Sequence, residues 1–261
     1  MRSIRSLGLA FGGEDGHLAT NNQLDVHVAA YQGENIYDFD NEIVLTWYPK
    51  RIARVVRAPR AVLDLGLGHG FATEIFSGGP GRHVVLEGSR AVIENFKLRY
   101  PGNKSELIET YFEEYDTDER FDLIVMGFVL EHVDDPLLIL NRFRKFLAPT
   151  GKLFVAVPNA EVMNRRLGNL AGMLPDIQAL SEHDRILGHQ RYFTAASLTE
   201  LAGDAGYKIE RMEGIYLKPF ATRQILSLNL DSDIIQALCE LGIEYPELSV
   251  AMLAQLTPVD P

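Results

Sequence analysis

The sequence predicts an α/β fold built on a mostly parallel sheet, and three observations carry that prediction. Short apolar runs alternate with segments of helical spacing along most of the chain. One run, Ala61-Val62-Leu63-Asp64-Leu65, leads straight into glycine at every second position, Gly66, Gly68 and Gly70. A further run, His83-Val84-Val85-Leu86-Glu87, closes on an acid about 20 residues past the glycines, where a nucleotide-binding sheet needs an acceptor for ribose hydroxyls. Glycines in that turn let the backbone bend sharply and lie flat against a ligand. The spacing is neither the Walker pattern, since no Gly-Lys-Ser/Thr follows, nor a good dinucleotide fingerprint.

Composition narrows the class. The 261 residues carry 25 Lys and Arg against 36 Asp and Glu, a formal net charge of −11, and 46% are hydrophobic. There is ample material for a buried core, and the acidic balance disfavours nucleic acid as a partner. The single cysteine, Cys239, excludes an intramolecular disulfide and reads as a core residue on a helix face. No run reaches the length of a membrane span and no signal-peptide core follows the basic start, so no membrane association and a cytoplasmic location are expected.

Taken in order, residues 1–33 carry little periodicity and read as an arm or an early helix. Asp38 to Arg57 has helical spacing, with Pro49 expected to restart or kink it. Ahead of it, Tyr31, Tyr37 and Phe39 either staple that helix to the core or cover a substrate pocket. After the first two strands, Arg90 to Tyr100 reads as a helix, Glu106–Glu109 as a short strand and Phe121–Met126 as a convincing one. A helix from Pro136 to Leu147 and a strand from Lys152 to Val157 follow. Between Ala160 and Arg191 regularity fails, and such an insert after a strand end is where lids and specificity elements sit. Thr194 reads as the N-cap of a helix closed by Gly206, ahead of strands at Tyr207–Met212 and Gly214–Leu217. Two last helical patterns are expected around Ile234–Leu241 and Leu248–Leu256, with Pro246 at a helix start; they would cap the domain or form a homodimer interface.

The motifs Leu63-Asp64-Leu65-Gly66-Leu67-Gly68-His69-Gly70, Leu86-Glu87, Phe121-Asp122-Leu123-Ile124-Val125 and Val129-Leu130-Glu131-His132-Val133-Asp134-Asp135-Pro136 resemble those of the class I S-adenosylmethionine (SAM) dependent methyltransferases. Leu147-Ala148-Pro149-Thr150-Gly151 is similar to that family's Leu-x-Pro-Gly-Gly turn, with Thr150 replacing a glycine. The Leu-Glu-His-Val run is especially like the branch holding ubiquinone-type O-methyltransferases and many natural-product methyltransferases. The resemblance implies a Rossmann-like fold: a mostly parallel seven-stranded sheet flanked by helices, with a helical lid insert and N- and C-terminal helical additions. It divides the chain into an arm and helical cap at 1–58, a SAM-binding domain at 59–220 with its lid at 160–191, and a C-terminal helical extension at 221–261.

Roles follow position by position. Asp64, Gly66, Gly68 and Gly70 would hold the methionine moiety, the acid lying near its ammonium, and Glu87 with Gly88 would take the ribose hydroxyls. Residues Glu109 to Phe112 fall where the family contacts adenine, which gives Tyr111 and Phe112 as ring partners. Met126 and Gly127 should line the slot, and Glu131 either joins them or, like Asp134, caps a helix. The product would be S-adenosyl-L-homocysteine (SAH), and the acceptor a small molecule. O-methylation is the leading reading, with N-methylation of an amine or amino sugar, or a non-catalytic SAM-binding scaffold, as alternatives.

The insert concentrates two histidines and two arginines in nine positions, His183-Asp184-Arg185 through His189-Gln190-Arg191, followed by Tyr192. Either these form a solvated loop paired with Glu182 and Asp184, or they form a cationic patch at the substrate mouth. In the second case Arg185 and Arg191 would fork onto an anionic acceptor beside Tyr37 and Tyr192. A hydroxyl acceptor would need a base, and His189, His183 and then His132 are the candidates. His183 and His189 with Glu182 lack regular metal-site spacing, so no metal is expected.

Overall fold

The computed structural model describes residues 36–259. Its seven strands are β1 (Ala61–Leu65), β2 (Arg82–Glu87), β3 (Glu106–Glu109), β4 (Phe121–Gly127), β5 (Leu147–Pro158), β6 (Tyr207–Leu217) and β7 (Ser249–Pro258). They form one sheet in the order β3-β2-β1-β4-β5-β7-β6, with β7 antiparallel to both neighbours and the other pairings parallel. The helices are α1 (Asp38–Val55), α2 (Phe71–Ser77), α3 (Arg90–Arg99), α4 (Pro136–Arg144), α5 (Met163–Leu170), α6 (Glu182–Ile186), α7 (Ala195–Asp204), α8 (Thr222–Ser227) and α9 (Ser232–Gly242).

Strand pleating sorts the core into two layers. Leu63, Leu65, Ile124, Met126 and Val155 face α4 and α7 through Phe143, Leu198 and Ala202. Val62, Leu123, Val125 and Phe154 face the other way, against Val44 and Ile52 of α1 and Cys239 of α9. Both faces are covered, which is why the central strands read as continuous apolar runs. Burial pushes the Cys239 thiol up to about 12, as suits a core residue rather than a nucleophile.

Several expectations are corrected. Leu248–Leu256 is not helical; Leu248 lies in a turn and Ser249 to Leu256 belong to β7, inserted between β5 and β6, with Ala251 to Ala254 buried. A fully buried strand and a buried helix segment share one apolar signature, and tertiary pairing decides between them. The sheet therefore does not end near residue 220, because the extension at 221–261 supplies one of its inner strands. Pro246 starts no helix and sits in the turn before β7. Tyr207–Met212 and Gly214–Leu217 are a single strand with a register shift between Ile209 and Arg211. Leu147 belongs to β5, since α4 ends at Arg144. α1 runs unbroken through the buried Pro49. The insert carries α5 and α6. Tyr31 and the expected arm at 1–33 lie outside the described residues.

Candidate functional site

The carboxyl ends of β1, β2 and β4 open onto one cavity of ≈ 1110 Å³, roofed by α1, the insert and the start of α8. A single drug-sized ligand fills roughly 300–1,000 Å³. The cavity is slightly larger than that range, so a cofactor-sized molecule would leave room for a small one beside it.

One end is built from the glycine turn. Gly66 and Gly68 take φ of +81° and +47°, the left-handed region that other residues adopt only with strain. A Cβ at Gly68 would meet no atom within 4 Å, so the backbone there borders open space. Gly70 also has φ +81°, but a Cβ on it would strike Phe96 at 2.7 Å, which makes it a packing position. Glu87 ends β2 facing the turn. It accepts from the Leu67 amide at 3.0 Å and the Ser89 amide at 2.8 Å, which fixes its carboxylate at the cavity wall. Gly88, Tyr111 and Phe112 complete this end, with Tyr111 half exposed at the rim. Gly127 is held to glycine because the Tyr48 hydroxyl would lie 2.2 Å from a Cβ there.

Three residues expected at this end lie elsewhere. Met126 is fully buried in the α4/α7 layer. Asp64 lies beneath the turn, with one carboxylate oxygen 3.8 Å from His83 Nε2, and does not line the cavity. Burial raises its pKa, against the opposing pull of His83. On β1 it sits between Leu63 and Leu65, so the pleat turns it to the opposite face from theirs. Glu109, at the exposed end of β3, lies off the wall as well.

The other end gathers the proton acceptors. The loop after β4 presents Glu131, fully buried, with neither carboxylate oxygen partnered among the described residues. Burial raises its pKa to about 7, opposed by the nearby His189 and Arg191. His189 stacks edge-on against His132 with centroids 4.7 Å apart. Its Nδ1 stands 3.2 Å from Asp184 Oδ1, within charge-pairing range though off the ideal hydrogen-bond direction. Asp184 is itself fixed: the Tyr192 hydroxyl donates to Oδ2 at 2.5 Å and the Ser181 amide at 2.8 Å. Burial opposes its ionised form, but the contacts from His189, Ser181 and Tyr192 outweigh burial and hold it well below the usual carboxylate range. His183 stacks on Tyr37 at 4.4 Å, joining the insert to α1 over the cavity, and burial lowers its pKa.

Glu131, His132 and His189 each offer one ligand atom, all within 4.8 Å of one another, and could hold a divalent cation. This is not the His183, His189 and Glu182 set weighed from the sequence. It joins the loop after β4 to the insert.

The two arginines expected at the substrate are not there. Arg185 is exposed and off the cavity. Arg191 donates to the carbonyls of Leu130 at 3.1 Å, Val133, and Asp134 at 3.3 Å. With Gln190, whose side-chain amide donates to the His132 carbonyl at 2.7 Å, it pins the insert onto the loop after β4. Arg191→Ala should therefore lower unfolding stability by roughly 1.5–3 kcal/mol, the range for bonds from a charged donor. An unchanged urea midpoint would return Arg191 to a passive surface role.

Comparison with known proteins settles the class. A family model described as a methyltransferase domain matches residues 44–211. The chain belongs to that methyltransferase family. A ubiquinone biosynthesis O-methyltransferase of Rhodopseudomonas palustris is 28% identical to this methyltransferase over 176 residues, which is 65% of this chain and 67% of the relative. One from Psychrobacter arcticus is 26% identical over 199 residues, covering 72% and 74%. Among solved structures, a Burkholderia thailandensis 1,6-didemethyltoxoflavin-N1-methyltransferase with bound 1,6-didemethyltoxoflavin and SAH shares the fold. Its TM-score is 0.59 at 17% identity, covering 95% of this chain and 94% of that one. The N-methyltransferase NodS of Bradyrhizobium japonicum, with SAH, scores 0.55 at 16% identity over 92% and 100% of the two chains. The protein is a SAM-dependent methyltransferase of class I with the Rossmann-like sheet expected from the sequence. Among the described residues no helix is long and apolar enough to cross a membrane.

Proposed function

We propose that this methyltransferase methylates a hydroxyl of a small organic acceptor, with His189 as general base and Asp184 as the group that orients it. The observation that carries this reading is the Asp184–His189 pair beside the unpartnered Glu131 on the cavity wall. Such proton-accepting groups serve an acceptor that arrives protonated; an amine frees its own lone pair by losing a proton to water. The O-methyltransferase relatives support the same choice, whereas the N-methyltransferase neighbours support the fold alone.

SAM supplies a methyl group already activated on a sulfonium. Gly66 and Gly68 leave the backbone bare where the cofactor would lie, and Glu87 would accept its ribose hydroxyls. Glu87→Ala should weaken SAH binding by roughly 1.5–3 kcal/mol in calorimetry. An unaltered affinity would remove the ribose assignment. His189 takes the hydroxyl proton, Asp184 holds the ring and stabilises the imidazolium, and Glu131 adds a second negative charge as it ionises. The insert, stacked on α1 through Tyr37 and His183, excludes water, which strengthens each of these interactions.

Release of SAH from SAM with catechol or benzylamine as acceptor tests the reaction at oxygen. Turnover of catechol alone is expected, and turnover of benzylamine alone would overturn it. A second reading, favoured by the mutual distances of Glu131, His132 and His189, has them hold a divalent cation that acidifies the hydroxyl instead. Activity retained after dialysis against EDTA supports the base; activity lost and restored by a divalent metal supports the cation.

A further inference from the structure

Beyond the proton-accepting cluster, the cavity wall holds a second polar group with no evident structural need to be there. Asp40 of α1, Lys218 just past β6 and Thr222 of α8 are each more than nine-tenths buried, and all three line the cavity. Lys218 Nζ donates to Asp40 Oδ2 at 2.5 Å and to Thr222 Oγ1 at 2.8 Å, and the Thr222 hydroxyl donates to the same Oδ2 at 2.5 Å. One acceptor and one donor are left over. Asp40 Oδ1 has no hydrogen-bond partner among the described residues, and the third Lys218 proton is used in none of these bonds.

A buried carboxylate oxygen without a donor is destabilising, and a plain tie between α1 and α8 would not require one. A residue in a strained conformation also stands close by in the chain. Tyr216, fully buried, takes φ +59°, and it falls between the paired residues Ile215↔Ala251 and Leu217↔Ser249. Strain of this kind persists where the surroundings hold it in place, often at ligand sites. Here it falls inside β6, two residues before Lys218.

We infer that Asp40, Lys218 and Thr222 form a recognition subsite for a neutral group that donates and accepts at once, a hydroxyl or primary amide, on the acceptor. The ammonium offsets the carboxylate, so the subsite has no net charge and rejects both a second cation and an anion. The incoming group accepts a hydrogen bond from the ammonium of Lys218 and donates to Asp40 Oδ1 once the carboxylate turns toward it, since that oxygen is covered in this structure. The apolar body of the ligand rests against Val44 and Leu45 of α1, which line the same cavity. The inference rests on the reading that an acceptor sits beside the cofactor, but not on methylation at oxygen.

Binding without turnover separates the two. Calorimetry on the full chain saturated with SAH, using catechol, benzoate and benzylamine as probes, should show saturable binding of catechol and little of the charged probes. Asp40→Asn and Lys218→Met should each weaken catechol about tenfold, as expected for loss of a hydrogen bond to a charged group, with SAH affinity within about twofold. Should either single variant unfold, the double variant Asp40→Leu/Lys218→Met replaces the pair with apolar groups, a change buried pairs often tolerate. It should keep SAH binding and lose catechol. Catechol binding equal to wild type in the folded variants, preference for benzoate or benzylamine, or no saturable catechol binding by the wild type would each overturn the subsite. If catechol binds as described but is never methylated, the subsite stands and the reaction at oxygen falls.

Discussion

His189→Ala should lower the methylation rate of a hydroxyl acceptor by about 10²–10⁴-fold, the span that a positioned general base contributes. SAH affinity should stay nearly unchanged, because the glycine turn and Glu87 lie at the other end of the cavity. Asp184→Asn tests the same assignment from behind. It keeps the shape of the side chain that receives Tyr192 and Ser181 but removes the charge opposite Nδ1. A smaller loss is expected, concentrated in kcat, with the rate restored as pH rises if the acceptor ionises by itself. Wild-type turnover in His189→Ala on a phenolic acceptor would sink the base. A loss confined to KM would make His189 a contact residue instead.

What the sequence made legible was whatever lies contiguous along the chain. The strand, the glycine turn and the acid ending the next strand are local, and each backbone conformation there follows from residue type. Gly66 and Gly68 need positive φ, and Glu87 faces them because β1 and β2 pair in parallel with Leu65 opposite Leu86. His189 could be singled out because it lies in a cluster of unusual charge. Its partners could not. Asp40 and Lys218 are 178 positions apart, and neither stands in a motif. Tyr48 faces Gly127 only because α1 crosses the end of β4. The place of Arg191 is hidden for a general reason: a guanidinium in a loop suggests a free cation, yet its donors match the carbonyls that a loop leaves bare. β7 reads as a helix from sequence because helix and strand periods converge once every face is buried.

Glu131→Gln should separate stability from function through pH. Burial keeps the carboxyl protonated up to about pH 7, whereas its ordinary value is 4.5. Folding therefore takes up a proton between those values, and the stability that this group contributes, present in full below 4.5, is lost as pH rises to about 7. At pH 8 the wild type holds an ionised, buried carboxylate with no partner among the described residues. Glutamine cannot ionise, so the stability of the variant relative to wild type should grow by on the order of 3 kcal/mol between pH 4.5 and pH 8. Chemical denaturation of the cofactor-free protein at several pH values measures it. The same substitution removes the charge that favours an imidazolium at His189, so the rate should fall while stability rises, a trade expected where a site retains an uncompensated group for its chemistry. A stability difference that stays flat with pH would show that Glu131 ionises normally, and its part in the proton transfer would go with it.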